Sequence, residues 1–293
     1  MNALRFGIIC DCQYTNADDM FFHVDSPAGD WSYDSHRYFR GSLERLQRAV
    51  DYFNSQELDF VAHLGDFVDR DPDDFAAVQD VAAQLKTPLY HVLGNHDFSA
   101  SGRSTEQACR NLGLRQPYYS FDRGGVHFVV LNSNELSLVD VPPSKIILRA
   151  ERQKFLAKLR AEGKSYAQSY NGGLDADQLA WFRQELSTAR EQNLPVIVFA
   201  HHPVFPPNMH NIVNCEEVLA LLDEFPPLAF MNGHNHVGAL GVRSNVPYVT
   251  FPGMVESLTE AHTVATIDDK AITLRGFGTH FDAQFTREQT RNI

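Results

Sequence analysis

Five short polar segments, each placed directly after a run of apolar, β-prone residues, constrain this chain more than any other feature. They are Asp11-Cys12-Gln13, Gly65-Asp66-Phe67-Val68-Asp69-Arg70, Gly94-Asn95-His96-Asp97, His201-His202-Pro203 and Gly233-His234-Asn235-His236. Each sets Asp, Asn or His beside small or turn-forming residues. Groups so far apart in sequence meet only if the preceding strands lie side by side and release their loops at one end of a sheet. Oxygen and imidazole donors, with no thiolate at the core positions, suit Mn, Fe, Mg or Zn in hydrolytic chemistry. The pattern therefore asks for an α/β fold with a dinuclear centre at the sheet ends.

The rest of the composition narrows the field. Over 293 residues there is no linker, repeat or long charge block, which predicts a single domain spanning 1–293. The net charge of −12 argues against a grip on a nucleic acid polymer, which needs a basic footprint. Bound cations would offset part of that acidity. Met1–Cys10 does not read as a secretory signal, and no apolar run reaches membrane-spanning length. Cys10, Cys12, Cys109 and Cys215 show no C-x-x-C spacing, so free thiols and a cytoplasmic protein are expected. No membrane and no obligate protein partner are expected either.

Periodicity predicts strands at Leu4–Cys10, Asp59–Leu64, Pro88–Leu93 and Pro195–Ala200, and a hairpin from Tyr118–Asp122 and Val126–Leu131 around Arg-Gly-Gly. It predicts helices at His36–Asn54, Phe75–Leu85, Glu216–Asp223 and Asp175–Gln192, the last capped by Asp175. Five further strands are expected at Leu228–Met231, Gly238–Val242, Tyr248–Phe251, Thr263–Ile267 and Ile272–Gly276. Early strand–helix alternation followed by late hairpins predicts mixed sheets covered by helices. An insert at about 137–171 stands out as long and polar, with a helical piece around Arg149–Glu162. It reads as a surface excursion or as a cationic lid.

Within the segments the residues divide by role. Asp66, projected by the turn after Gly65, is the candidate bridging carboxylate. Asp11 and the Gln13 amide oxygen lie on one side of an extended chain. Asn95, His201, His234 and His236 complete the candidate ligands. His96 follows a ligand without being one, and imidazole, with a pKa near ~6.5, can carry a proton to a leaving oxygen. Asp69 could orient it, or could cap a helix starting near Arg70. His202 reads as a neighbour of the site or as a structural residue. His63 and His91 fall inside strands, Cys12 reads as core, and His23, His127, His210, His262 and His280 match no ligand spacing.

The order D-x-[HQ], GDxxDR, GNHD, HHP and GHxH resembles the calcineurin-like metallophosphoesterases, over about residues 4 to 278. That resemblance implies a four-layer αββα sandwich of two mixed β-sheets. It implies two divalent ions, one on Asp11, Gln13, Asp66 and His236, the other on Asp66, Asn95, His201 and His234. It implies that His96 with Asp69 serves the leaving group while a metal-bound hydroxide attacks phosphorus. Most of that superfamily has His where this chain has Gln13. With Arg37-Tyr38-Phe39-Arg40-Gly41-Ser42-Leu43, Tyr170-Asn171-Gly172-Gly173-Leu174 and Gln178-Leu179-Ala180-Trp181-Phe182, that departure resembles the Mn-dependent ADP-ribose/CDP-alcohol diphosphatase branch. The implied ion is then Mn2+, with Fe, Zn or Mg as alternatives.

The residues allow a small nucleotide-type substrate. Tyr14, Phe21, Phe22, Trp31 and Tyr33 make an aromatic-rich loop that could stack a base or simply anchor the loop. Phe22, Arg37, Arg40, His202 and Cys215 are the candidate substrate contacts. The same site could serve a cyclic nucleotide phosphodiesterase or a phosphomonoesterase. A non-catalytic scaffold is disfavoured, because His96, Asp66 and Asn95 all remain.

Overall fold

The computed structural model describes residues 3–25 and 32–286. In chain order the elements are β1 Leu4–Ile9, β2 Met20–Asp25, β3 Ser32–Arg37, α1 Phe39–Asn54, β4 Phe60–His63, α2 Phe75–Ala82, β5 Leu89–His91, α3 Asn95–Ala100 and α4 Thr105–Asn111. There follow β6 Tyr119–Arg123, β7 Val126–Val130, α5 Ile146–Ala161, α6 Ala176–Glu191, β8 Val196–Phe199 and α7 Cys215–Glu224. The chain continues through β9 Ala229–Asn232, β10 Ala239–Arg243, β11 Val246–Thr250, β12 Ala261–Ile267, β13 Ala271–Gly278 and β14 Ala283–Thr286.

Two six-stranded sheets carry the fold, in the orders β14-β13-β12-β1-β4-β5 and β10-β11-β9-β8-β7-β6. Both are mixed. The parallel cores are β1-β4-β5 in one sheet and β7-β8-β9-β11 in the other. Buried on both faces, these strands read as continuous apolar runs. Phe6, Ile8, Phe60, Phe128, Val130, Ile197, Phe199 and Met231 fill the space between the sheets. Phe6 stacks on Phe60 at 4.8 Å and meets Phe199 edge-on at 5.9 Å. The alternate residues Ile9 and Val61 face outward under Leu46, Val50 and Phe53 of α1. Val129 and Val198 face the other way under Phe182 and Leu186 of α6 and Val218 of α7. Helix, sheet, sheet and helix are the four layers expected. Cys10 joins the inner core and Cys12 the outer one, as two-residue alternation requires.

The elements differ from expectation where local pattern is weak. The helix expected from His36 starts at Phe39, because His36 and Arg37 end a strand. The aromatic loop before it is a hairpin, with Phe22 opposite Ser35 and Met20 opposite Arg37. Trp31 and the Tyr33 side chain lie outside the described residues. Two short helices, α3 and α4, and the edge strand β14 had no legible period. By contrast Asp175 caps α6 by accepting the Gln178 amide at 2.9 Å. The 137–171 stretch is less of an excursion than its polarity implies. Ser137, Val139, Val141, Leu156, Tyr166, Ala167 and Asn171 are buried, and its end ties back through Gly173 to Glu135. No helix among the described residues is long and apolar enough to cross a membrane.

Candidate metal centre

All five polar segments leave the carboxyl ends of the parallel strands: after β1, β4 and β5 in one sheet and after β8 and β9 in the other. Open sheets gather ligands at that edge. The turns there are tight. Asp11 (φ 49°), Gln13 (φ 42°), Asp66 (φ 60°) and His234 (φ 67°) all sit in the left-handed region, which costs a non-glycine residue of order 1–3 kcal/mol. Two glycines make the room. A Cβ on Gly94 would fall 2.1 Å from Asp66 Oδ1, and one on Gly65 (φ 98°) would fall 2.5 Å from His201 Nδ1.

The side chains converge as two overlapping groups. In one, His201 Nε2 lies 3.0 Å from Asn95 Oδ1 and 3.3 Å from Asp66 Oδ2. In the other, His236 Nε2 lies 3.3 Å from Asp11 Oδ1 and 3.2 Å from Gln13 Nε2. Asp66 Oδ2 joins them, at 2.9 Å from Gln13 Nε2. Asp11, Asp66 and His201 offer ligand atoms all within 4.8 Å of one another. Donors of one octahedral shell with bonds near ~2.1 Å lie roughly 3 Å apart, so the spacing fits ions of that size.

Each imidazole is braced through its other nitrogen. His201 Nδ1 donates to the Leu64 carbonyl at 2.9 Å, which turns the Nε2 lone pair inward. His236 Nδ1 donates to Glu256 Oε1 at 2.8 Å with the same result. For His234 the tautomer follows from its neighbour. Asn171 Nδ2 donates to the carbonyls of Tyr166 (2.8 Å) and Met209 (2.7 Å), so its Oδ1 accepts from His234 Nε2 at 3.0 Å. The His234 Nδ1 lone pair remains. The electrostatics draw positive charge inward. Burial opposes protonation of His201 and His236, yet Asp66 pulls the first up to about 9, and Asp11 with Glu256 does the same for the second. Burial likewise opposes ionisation of Asp66, but the charges of His201 and His96 hold its carboxyl below the usual range. The donor set thus fits two hard divalent ions.

Gln13 is oriented against expectation. Arg37 Nη1 donates to its Oε1 at 3.0 Å, so the amide nitrogen, not the oxygen, faces Asp66 and His236. An oxygen contact to an ion requires the amide to turn over and release Arg37.

At the rim, His96 is tethered by Nδ1, 2.9 Å from the Asp69 carbonyl and 3.1 Å from its Oδ1. Its side chain keeps 24% exposure, and no described residue hydrogen-bonds its Nε2. Burial lowers the His96 pKa, but Asp66 and Asp69 more than restore it. Arg37 lies 3.8 Å from Asp69 Oδ1 and 5.4 Å above the Phe22 ring. The other candidate contacts are not brought to the cluster in the same way. Arg40 spends its guanidinium on Asn16 and Asp18. Cys215 packs in the outer core with Sγ toward Glu216. His202 is fully buried, with Nε2 on the Tyr170 carbonyl and Nδ1 on Ser133 Oγ. Although it lies within metal-ligand reach of His201 and His234, both its nitrogens are engaged, so it supports rather than ligates.

Four residues take up places in or beside the cluster that the sequence did not assign them. Asp97 accepts the amides of Asp66 (3.0 Å), Phe67 (2.9 Å) and Gly94 (2.9 Å), pinning the bridging turn to α3. Its place in Gly94-Asn95-His96-Asp97 was the available signal. Glu256 and Asn171 brace His236 and His234, and His210 sits with its ring 5.4 Å from that of His234. Asn171 lies in the Tyr170–Leu174 segment that carries the resemblance, but nothing local marks its role, and Glu256 and His210 carry no local mark at all.

Known proteins agree with this architecture. The model of the calcineurin-like phosphoesterases matches residues 4–238. A manganese-dependent ADP-ribose/CDP-alcohol diphosphatase from Xenopus tropicalis is 26% identical, covering 93% of this chain and 91% of its own. One of the same name from Arabidopsis thaliana is 29% identical, covering 82% of each. The crystal structure of a dimetal phosphatase from Danio rerio superposes with a TM-score of 0.79 over 97% of this chain and 98% of that one. At 24% identity it speaks for the fold. Four layers, ligand segments at the strand ends and a family match over most of the chain lead to one conclusion: this protein belongs to the calcineurin-like phosphoesterases, a family of metal-dependent hydrolases.

Proposed function

We propose that this chain is a manganese-dependent phosphohydrolase that cleaves the phosphoanhydride bond of small nucleoside diphosphate compounds, of the ADP-ribose and CDP-alcohol kind. The observation that carries the reading is one carboxylate in contact with both donor groups, Asp66, beside a tethered, accessible acid, His96. Asp11, Gln13, Asp66 and His236 would hold one ion, and Asp66, Asn95, His201 and His234 the other. Such ions polarise phosphoryl oxygens and acidify water. The chain supplies the rest. Asp69 fixes His96 by Nδ1, leaving Nε2 to give its proton to the departing oxygen. Arg37, 3.8 Å from Asp69 Oδ1, puts a cation on the same side of the site as His96. The abundance of oxygen donors favours manganese over softer-site metals. Relatives over most of the chain bear the diphosphatase name, which supports the substrate class. Four free, buried cysteines support a reducing, cytoplasmic setting.

The test is a panel of ADP-ribose, CDP-choline, cyclic AMP and p-nitrophenyl phosphate, each with Mn or Mg. The two diphosphates with Mn should give the highest kcat/KM. Faster cleavage of cyclic AMP or the monoester would replace the reading with the phosphodiesterase or phosphomonoesterase one. No turnover of any substrate with two ions bound would leave a scaffold.

A further inference from the structure

Two buried nitrogens at the edge of the cluster have no hydrogen-bond partner: Arg37 Nε and His210 Nδ1. Buried polar atoms without partners are rare, and each asks for a reason. They come from distant parts of the chain, Arg37 from the end of β3 and His210 from the loop between β8 and α7. That loop is fastened along its length. Ile212 donates to the Pro203 carbonyl at 3.0 Å, Asn211 Nδ2 to the Val204 carbonyl at 2.7 Å, and the His210 amide to Asn208 Oδ1 at 2.7 Å. Met209 takes the Asn171 amide at 2.7 Å, which couples the loop to the brace of His234. The His210 ring stands edge-on to His234 at 5.4 Å and lies 6.0 Å from Tyr170. It also lies within charge–charge reach of His236, Asp11, Arg37 and Glu256. A preorganised imidazole and a guanidinium, within charge–charge reach of each other and each with a nitrogen that lacks a partner, make a site for an anion.

We infer that His210 and Arg37 clamp a second anionic group of the substrate, the phosphoryl that is not attacked. This rests on the diphosphate reading above and deepens it. The attacked phosphoryl has its non-bridging oxygens beside the ligand groups and its leaving oxygen beside His96. Arg37 lies against Asp69, the residue that tethers His96, and so on the leaving side. The anionic group nearest to a leaving oxygen in a diphosphate is the second phosphoryl. A monoester with an uncharged leaving group has nothing to offer there. His210 is thus a specificity residue, selecting two linked phosphoryls over one.

The test is calorimetric binding to the manganese-loaded protein of AMP and of α,β-methylene-ADP, which shares its base and ribose and adds one uncleavable phosphoryl. Wild type should prefer the diphosphate analogue. His210→Ala should weaken the analogue about 10–100-fold, the range for a hydrogen bond to a charged group, and AMP less than about 3-fold. His210→Gln, with an amide N–H in place of the imidazole, should recover part of the loss at unchanged manganese content. It also keeps the comparison open if the alanine variant folds poorly. Equal weakening of both ligands, weakening of neither, or no preference in wild type would overturn the clamp. Turnover of ADP-ribose by wild type is read separately. Its absence sinks the diphosphatase reading, while the two ligands still judge His210.

Discussion

On the side of His201 and His234, the imidazoles lean on neutral groups: the Leu64 carbonyl at 2.9 Å and the Asn171 amide at 3.0 Å. On the side of His236 and Gln13 the braces are charged, Glu256 at 2.8 Å and Arg37 at 3.0 Å. The neutral braces belong to the body of the protein, since Leu64 sits in the inter-sheet core and Asn171 is fully buried. The charged braces reach outward to the β2–β3 hairpin. Arg37 ends β3, and Ser35 of the same strand donates to Glu256 Oε1 at 2.7 Å. Alternation puts Ser35 and Arg37 on one face of that strand, toward the cluster. One half of the centre is therefore set by the core, and the other by an appendage on the substrate side. Metal affinity and choice should be fixed in the first half and adjustable in the second.

The largest effect should ignore this asymmetry. Asp66 touches both halves, so Asp66→Ala should strip both ions and cut activity by more than about 10³-fold, given the several kcal/mol a metal supplies at tenfold per 1.4 kcal/mol. Metal analysis alongside kcat/KM checks it, and an active variant that keeps two ions would remove Asp66 as the shared ligand. Next, His96→Ala should keep both ions and slow turnover by about 10²–10⁴-fold, the usual range for losing a general acid. The loss should shrink for p-nitrophenyl leaving groups, which need little protonation; equal loss on alkyl esters would mean that His96 serves structure.

Three smaller changes probe the asymmetry itself. Glu256→Gln should weaken one manganese site about 10–100-fold, as losing a ligand's brace usually does, and spare the other. A titration showing both sites weakened equally would break the contrast between the halves. Gln13→His should widen metal use toward Zn or Fe and shift the balance among ADP-ribose, CDP-choline and cyclic AMP. It also takes away the acceptor that now engages Arg37. Unchanged metal preference and unchanged substrate ratios would show that Gln13 ligates nothing that matters. Ser35→Ala, one hydrogen bond further out, should cost the same manganese site only about 2–10-fold, because it steadies the glutamate without touching the ligand itself. An effect as large as that of Glu256→Gln would mean that the hairpin does more than steady the glutamate.

The parts of this protein that were open to a reader of sequence share a physical trait: their signal is local. Phe60–Leu64 followed by Gly65-Asp66 states both a buried strand and the turn that ends it. His234 and His236 announce themselves by spacing alone. The sheet cores and α6 follow from periods of two and of 3.6 that burial enforces within a few residues. The short α3, α4 and β14 were missed because they leave too few periods to detect, and the hairpin because its apolar residues Met20, Phe21 and Phe22 are exposed rather than set on a buried face.

The roles of Glu256, Asn171 and His210 had no such mark, since a glutamate, an asparagine or a histidine in a loop is ordinary until its partner is known. His234 finds Asn171 63 positions away, and Gln13 finds Arg37 24 positions away. Which side chains could ligate, and which strands would deliver them, could be read from short stretches, because donor chemistry and strand pattern are local properties. Which nitrogen of each histidine faces inward, which way the Gln13 amide points and where buried polar atoms stay unpaired could be seen only in the packed fold. Those choices are made by hydrogen bonds between segments that meet only when the two sheets pack.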